Sequence, residues 1–262
     1  MIDAKRRQTM NIVIVTGAAS GIGQEFALQL DKLFHHMDEI WLIARRRERM
    51  EELSLALQTK TRIISMDVTD PVYLNQFSEL LSIENPAIRM LVNCAGFGLM
   101  GEVSKLSLEE QLDMIRLNCE SLTELTYRCL PYMRKNSRII QMASSAAFLP
   151  QQNFAVYAAT KSYVLSFSRA LNQELRERKI YVTSVCPGPV DTEFFDIAEK
   201  YGKTLAVKKL TMVSSDRVVS KAIRDCYHKK DISVCSFPIQ AFHVLTKLLP
   251  NSVIFAVMKL FQ

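Results

Sequence analysis

The sequence predicts an α/β fold, a doubly wound parallel sheet with helices on both faces, built as a single domain over residues 1–262. Three observations predict it. Short β-branched runs alternate with stretches of helical spacing along most of the chain. No linker rich in Pro, Gly or Ser and no repeat of solenoid length divides the 262 residues. With 48% hydrophobic and 23% charged residues, the chain has ample material for a buried core, which argues against disorder, collagen and coiled coil.

The run Asn11 to Thr16 reads as a short strand buried on both faces, and the period changes at the glycines that follow, giving a helix over 22–34. The alternation continues with a strand over 39–44, a helix over 47–58, a strand over 62–66 and a helix over 71–81. Then come a strand over 89–92, a helical pattern over 108–134, a strand over 138–142, a helix over 157–178 and a strand over 181–186. A last strand falls in 231–235. Strand and helix in strict repetition require crossover connections, hence parallel pairing.

Charge and composition exclude several functions. The 33 Lys+Arg against 27 Asp+Glu leave +6, but the densest basic cluster, Arg45 to Arg47, is followed at once by Glu48, Glu51 and Glu52. That is a mixed-charge helix face, and no nucleic acid partner is expected. No apolar run of spanning length occurs, the longest being 253–258. Lys5, Arg6 and Arg7 lead into an apolar run that stops at Thr16 and Gly17, so no secretory signal is read and a cytoplasmic location is expected. Six cysteines without a Cys-x-x-Cys pair, and four histidines without ligand spacing, predict free thiols and no metal.

Ligands of such sheets bind beyond the carboxyl ends of the strands. After the first strand comes Thr16-Gly17-Ala18-Ala19-Ser20-Gly21-Ile22-Gly23, where Gly17 permits the turn, Gly21 lets backbone approach a ligand and Gly23 lets helix lie close on strand. The free amides at that helix start face a pyrophosphate. After the second strand an NAD site usually has an acid, but this chain has Ala44 and then Arg45, which pairs with a 2′-phosphate and so predicts NADP(H). The alternative is that Arg45 merely opens a charged helix. After the third strand Asp67 is placed to take an adenine amino group, with Val68 beside it, and after the fourth Asn93-Cys94-Ala95-Gly96 lets backbone pass beside a ribose. The strand over 138–142 leads into Ser144, and Tyr157 and Lys161 share one helix face, where an ammonium favours the phenolate and makes the tyrosine an acid or base near neutrality.

These motifs, in this order, resemble the short-chain dehydrogenase/reductase family over 11–192. Its glycine motif matches 16–23, its Asn-Ala-Ala-Gly motif matches 93–96 with Cys94 substituted, and its Tyr-x-x-x-Lys motif matches Tyr157 and Lys161. Its catalytic serine precedes the tyrosine by thirteen residues, which selects Ser144, because 157 − 144 = 13. The resemblance implies a Rossmann fold and catalytic roles for Asn118, Ser144, Tyr157 and Lys161. Tyr157 would protonate a carbonyl oxygen and Ser144 would polarise it. Lys161 would bind the nicotinamide ribose and lower the tyrosine pKa, and Asn118 would hold a water in the relay. It further implies that Pro187, Gly188, Val190 and Thr192 flank the nicotinamide.

The reading is therefore an NADP-dependent oxidoreductase interconverting an apolar ketone and its secondary alcohol, the ketone being a steroid, a lipid-like carbonyl or an acyl derivative. The alternative is a regulatory protein that binds NADPH without turnover. Phe194, Phe195, Ile197, Tyr201 and Leu205 in a substrate loop at about 189–210 suggest an apolar lining, and a homodimer is expected. Beyond Thr192 the resemblance weakens. Ile239, Phe242, Leu245, Leu248 and Leu249 form an apolar stripe in a tail over 238–262. Core packing is one role for this tail. Among the others a pocket or subunit contact is favoured over membrane, because one lysine makes a poor lipid-facing charged side.

Overall fold

In the computed structural model, residues 9–201, 212–250 and 253–254 are described. Leu205 and residues 255–258 of the apolar run over 253–258, both singled out in the sequence, lie outside them. Seven parallel strands form one sheet in the order β3-β2-β1-β4-β5-β6-β7. They are β1 (Asn11–Thr16), β2 (Glu39–Ala44), β3 (Thr61–Ser65), β4 (Ala87–Asn93), β5 (Met133–Met142), β6 (Tyr181–Val185) and β7 (Ile232–Ser233). The helices are α1 (Gly21–Leu33), α2 (Arg47–Ala56), α3 (Pro71–Glu84), α4 (Leu108–Ile115), α5 (Leu122–Cys129), α6 (Ala155–Glu174), α7 (Phe194–Ala198), α8 (Ser215–Tyr227) and α9 (Phe237–Leu248).

The side-chain period of two makes β1 serve both layers. Val13 and Val15 meet Phe26 and Leu30 of α1 and Val218 and Ala222 of α8, while Ile12 and Ile14 meet Phe77 and Leu81 of α3 and Leu125 of α5. Burying Phe77 or Leu81 contributes roughly 1.5–3 kcal/mol each. Local chemistry agrees with these elements at α3, where Asp70 Oδ1 accepts from the Val72 amide at 2.8 Å and Pro71 occupies the first helical position.

Two elements differ from the sequence reading. The helical pattern over 108–134 is not one helix: a π-helical stretch, Arg116–Ser121, separates α4 from α5, and the chain is already in β5 at Met133. Apolar spacing continues across the insertion, so periodicity alone does not reveal it. The last strand is shorter than expected, pairing only through Ile232 and Ser233. Among the described residues no helix is long and apolar enough to cross a membrane, and no cluster of three potential metal ligands occurs. All six cysteines are free.

Candidate active site

Strand order reverses between β1 and β4, and the connections there leave in opposite directions, opening a crevice at the carboxyl end of the sheet. A cleft of about 1600 Å³ occupies it. Thr16 Oγ1 ties its two sides together, accepting from the amides of Cys94 (3.0 Å) and Ala95 (3.1 Å). Gly17 has φ +67°, and a Cβ there would stand 2.9 Å from the Ala95 amide nitrogen, so a side chain would both strain the turn and push the two loops apart. Helix α1 starts at Gly21 with no side-chain cap from Ser20 and no acid in its first turn. Its orphan amides are the donors a pyrophosphate needs, and the residues present fit that group. Gly17, Ser20, Gly21, Ile22 and Gly23 all line the cleft.

Arg45, Asp67 and Val68 also line it, with Arg45 Nη1 3.8 Å from Asp67 Oδ2. Asp67 Oδ1 is taken by Thr69, through its amide at 2.9 Å and its hydroxyl at 2.7 Å. Sequence reasoning singled out Arg45 and missed Arg46. The structure puts Arg46 Nη2 2.8 Å from Ser20 Oγ and 2.8 Å from Glu193 Oε2. The three consecutive arginines were the available signal, but which of them turns inward depends on how α2 begins.

Ala95 and Gly96 line the cleft, as do Pro187, Gly188, Val190 and Thr192 after β6. The Asn93 side chain does not. It is buried, and its Nδ2 donates to Thr126 Oγ1 (2.9 Å) and Gln141 Oε1 (3.0 Å), bracing β4 against α5 and β5. A strand residue that precedes the turn points by alternation into the layer below.

At the other end of the cleft, Ser144 closes β5 in an extended conformation and its Oγ accepts from the Ala146 amide at 3.1 Å. Ser144 faces the same cleft as Tyr157 and Lys161, which stand one turn apart on α6. Lys161 Nζ donates to the Met142 carbonyl at 2.8 Å and lies 5.6 Å from the centre of the Tyr157 ring. Burial raises the Tyr157 phenol above its ordinary value, with the Ser144 hydrogen bond working the other way. Burial also lowers the Lys161 ammonium to about 8.

Tyr157 is held sideways. Phe154 stacks on it at 4.3 Å between centroids, Phe194 lies at 5.4 Å, and Gly98, which sequence reasoning also missed, packs against its ring. Asn118 sits in the π-helical stretch and is fully buried. Its Oδ1 accepts from the Phe97 amide (3.1 Å), and its Nδ2 donates to the Phe97 carbonyl (2.8 Å) and Thr160 Oγ1 (3.0 Å). Its side chain is thus a brace between the loop after β4 and helix α6, and does not face the cleft.

Phe97, Met100, Phe194, Phe195 and Ile197 give the substrate end an apolar wall, completed by Ile239 and Phe242 from α9. Tyr201 is not part of it. The tail stripe divides: Ile239 and Phe242 face the cleft, whereas Leu245, Leu248 and Leu249 are exposed, and no residue of α9 is buried. The helix nonetheless packs on the body through this face, Ile239 against the cluster of Leu122, Val164 and Val234 and His243 stacked on Phe148 at 4.2 Å, so core packing and the cleft contact share one side.

The family model for short chain dehydrogenase matches residues 11–201. The chain is 33% identical over 218 residues to an NADP-dependent 3-hydroxy acid dehydrogenase of Escherichia coli strain K12, covering 81% of this chain and 87% of that protein. Among solved structures, the closed form of a serine dehydrogenase complexed with NADP+ is 30% identical with TM-score 0.70, covering 80% of this chain and 86% of that one. A short chain dehydrogenase/reductase from Burkholderia phymatum in complex with NAD shares the fold, with TM-score 0.78 at 18% identity, covering 90% and 92% of the two chains.

Proposed function

The chain belongs to the short-chain dehydrogenase family of oxidoreductases, and on that premise we propose that it is an NADP(H)-dependent enzyme interconverting an uncharged, apolar ketone and its secondary alcohol. The cofactor, when bound, supplies or accepts the hydride. Ser144 holds the carbonyl oxygen, and Tyr157, kept in its protonated form by burial, gives that oxygen a proton. In the reverse direction the phenol oxygen receives it. Lys161, anchored through Met142, presents its remaining N–H donors to the ribose side of the cleft. Arg45 and Arg46 stand at the adenosine end, where a 2′-phosphate belongs.

The observation that carries the substrate class is the charge of the cleft lining. Among the described residues its only cations are Arg45 and Arg46 at the cofactor end and Lys161, whereas the substrate end carries Glu110 and Asp113 among phenylalanines. The two acids are paired with Lys200 and Arg116, so among the described residues no free cation lines that end to hold a carboxylate. The reading therefore differs from the 3-hydroxy acid named for the Escherichia coli relative.

The test follows NADPH and NADH consumption over a panel of steroid, lipid-like and acyl ketones beside 3-oxo acids, in the wild type, Arg45→Asp and Tyr157→Phe. NADPH should be preferred, Arg45→Asp should erode that preference, and Tyr157→Phe should lower kcat by about 10²- to 10⁴-fold with NADPH binding intact. Equal use of the two cofactors overturns the NADP(H) assignment, and faster turnover of 3-oxo acids overturns the substrate class. NADPH binding without turnover of any compound supports the regulatory alternative.

A further inference from the structure

The glycine turn, the arginines after β2 and the segment opening α7 are distant in sequence and meet at one point. Arg46 Nη2 donates to Ser20 Oγ and to Glu193 Oε2, both at 2.8 Å, and Arg49 Nη2 lies 4.0 Å from Glu193 Oε1. Ser20 thus stands on the same guanidinium as the carboxyl group, and the Arg46 bond does most to hold Glu193 below the usual carboxylate range. A serine hydroxyl and two guanidinium groups around one anion are the donor set of a phosphate monoester site. Here the anion is the protein's own carboxylate, in the wall of the cleft beside the start of α1.

Resting on the NADP(H) reading, we propose that Glu193 is a resident surrogate for the 2′-phosphate, a specificity-determining residue that the cofactor must displace from Arg46. Two anions repel on one set of donors, so phosphate binding and the Glu193 contact exclude each other. The exchange reaches the catalytic end. Glu193 directly precedes α7, whose first residue, Phe194, stands 5.4 Å from the Tyr157 ring. The far end of that segment stays fixed, because the Met100 amide donates to the Ala198 carbonyl at 2.9 Å and Lys200 pairs with Glu110 at 2.8 Å. Displacing Glu193 thus frees α7 at its Tyr157 side only. A cofactor without the 2′-phosphate leaves the contact intact.

The test compares wild type and Glu193→Gln for binding of NADPH, NADH and 2′,5′-ADP by calorimetry at low salt. Because the Arg46 and Glu193 side chains are 48% and 45% exposed, the gain is modest: NADPH and 2′,5′-ADP should bind about 1.5- to 5-fold tighter to the variant, with NADH unchanged. In an Arg46→Gln background, Glu193→Gln should change none of the three. In the wild type alone, 2′,5′-ADP should speed amide hydrogen exchange over Phe194–Ala198 and 5′-AMP should not, a measurement that decides the matter even if the variant folds poorly. Unchanged or weaker NADPH binding in Glu193→Gln overturns the proposal, since Glu193 would then orient Arg46 for the phosphate. Equal tightening of NADH, or equal exchange with both nucleotides, also overturns it. A wild type that fails to prefer NADPH overturns the cofactor reading itself. A clear preference with an unresponsive Glu193→Gln overturns this inference alone.

Discussion

Gly98→Ala should disable the proposed proton donor without touching any group that reacts. A Cβ at this position would lie 2.9 Å from both Cγ and Cε2 of Tyr157 and closer still to Cδ2. Carbon atoms pack at about 3.5–4.0 Å, so the ring must retreat by roughly 1 Å. It has little room. Phe154 is stacked on the ring at 4.3 Å, Phe194 stands at 5.4 Å, and Tyr157 is only 7% exposed. Overpacking of this kind costs about 1–3 kcal/mol, or about 2–10 °C in Tm at this chain length. The larger effect is on chemistry, because a displacement of about 1 Å at the reacting group costs on the order of 10²-fold in rate. Steady-state kinetics with a ketone substrate, cofactor titration and thermal denaturation separate the outcomes: kcat should fall about 10²-fold while the Kd for NADPH stays put. Adding Phe154→Ala should return part of the Tm but not of kcat, since the ring then yields in the wrong direction. Wild-type kcat in Gly98→Ala would refute the argument that the ring is clamped.

Other consequences concern pH and stability. With Lys161 lowered to about 8 and Tyr157 raised, the reductive kcat/KM should fall through an apparent pKa near 8 as Nζ loses its proton, while the phenol keeps its own; a profile flat to pH 10 would contradict this. Asp225 is buried, and although burial pushes its pKa up, hydrogen bonds from Lys221 (2.5 Å), Lys230 and Ser233 (2.8 Å) outweigh it and hold the carboxyl low. Asp225→Asn should cost about 1–3 kcal/mol in urea denaturation at pH 7. Because the folded pKa is the depressed one, the wild-type advantage is full above about pH 4 and shrinks as pH falls through the folded value, so a difference that grows in acid would refute the assignment.

Most of what depends on local spacing was legible in the sequence. The alternation of strand and helix, the glycine turn, Ser144 at a strand end and the Tyr157–Lys161 pair each lie within a few residues of chain, where backbone geometry ties position to direction. Parallel pairing followed from the strict alternation, whereas the strand order, and with it the place where it reverses and the cleft lies, came from the structure. What the tertiary structure alone decided are meetings between distant segments. Asn93 turns into the interior to meet Thr126 and Gln141, and Asn118 braces Phe97 from a π-helical stretch hidden inside a continuous apolar pattern. Gly98 clamps the tyrosine, and one face of the tail helix reaches the cleft. Arg46 rather than its neighbour Arg45 joins the glycine turn to Glu193, 147 residues away. No periodicity encodes such pairs, because they are fixed by how the layers pack on the sheet and by which side chain each loop can then extend across the gap.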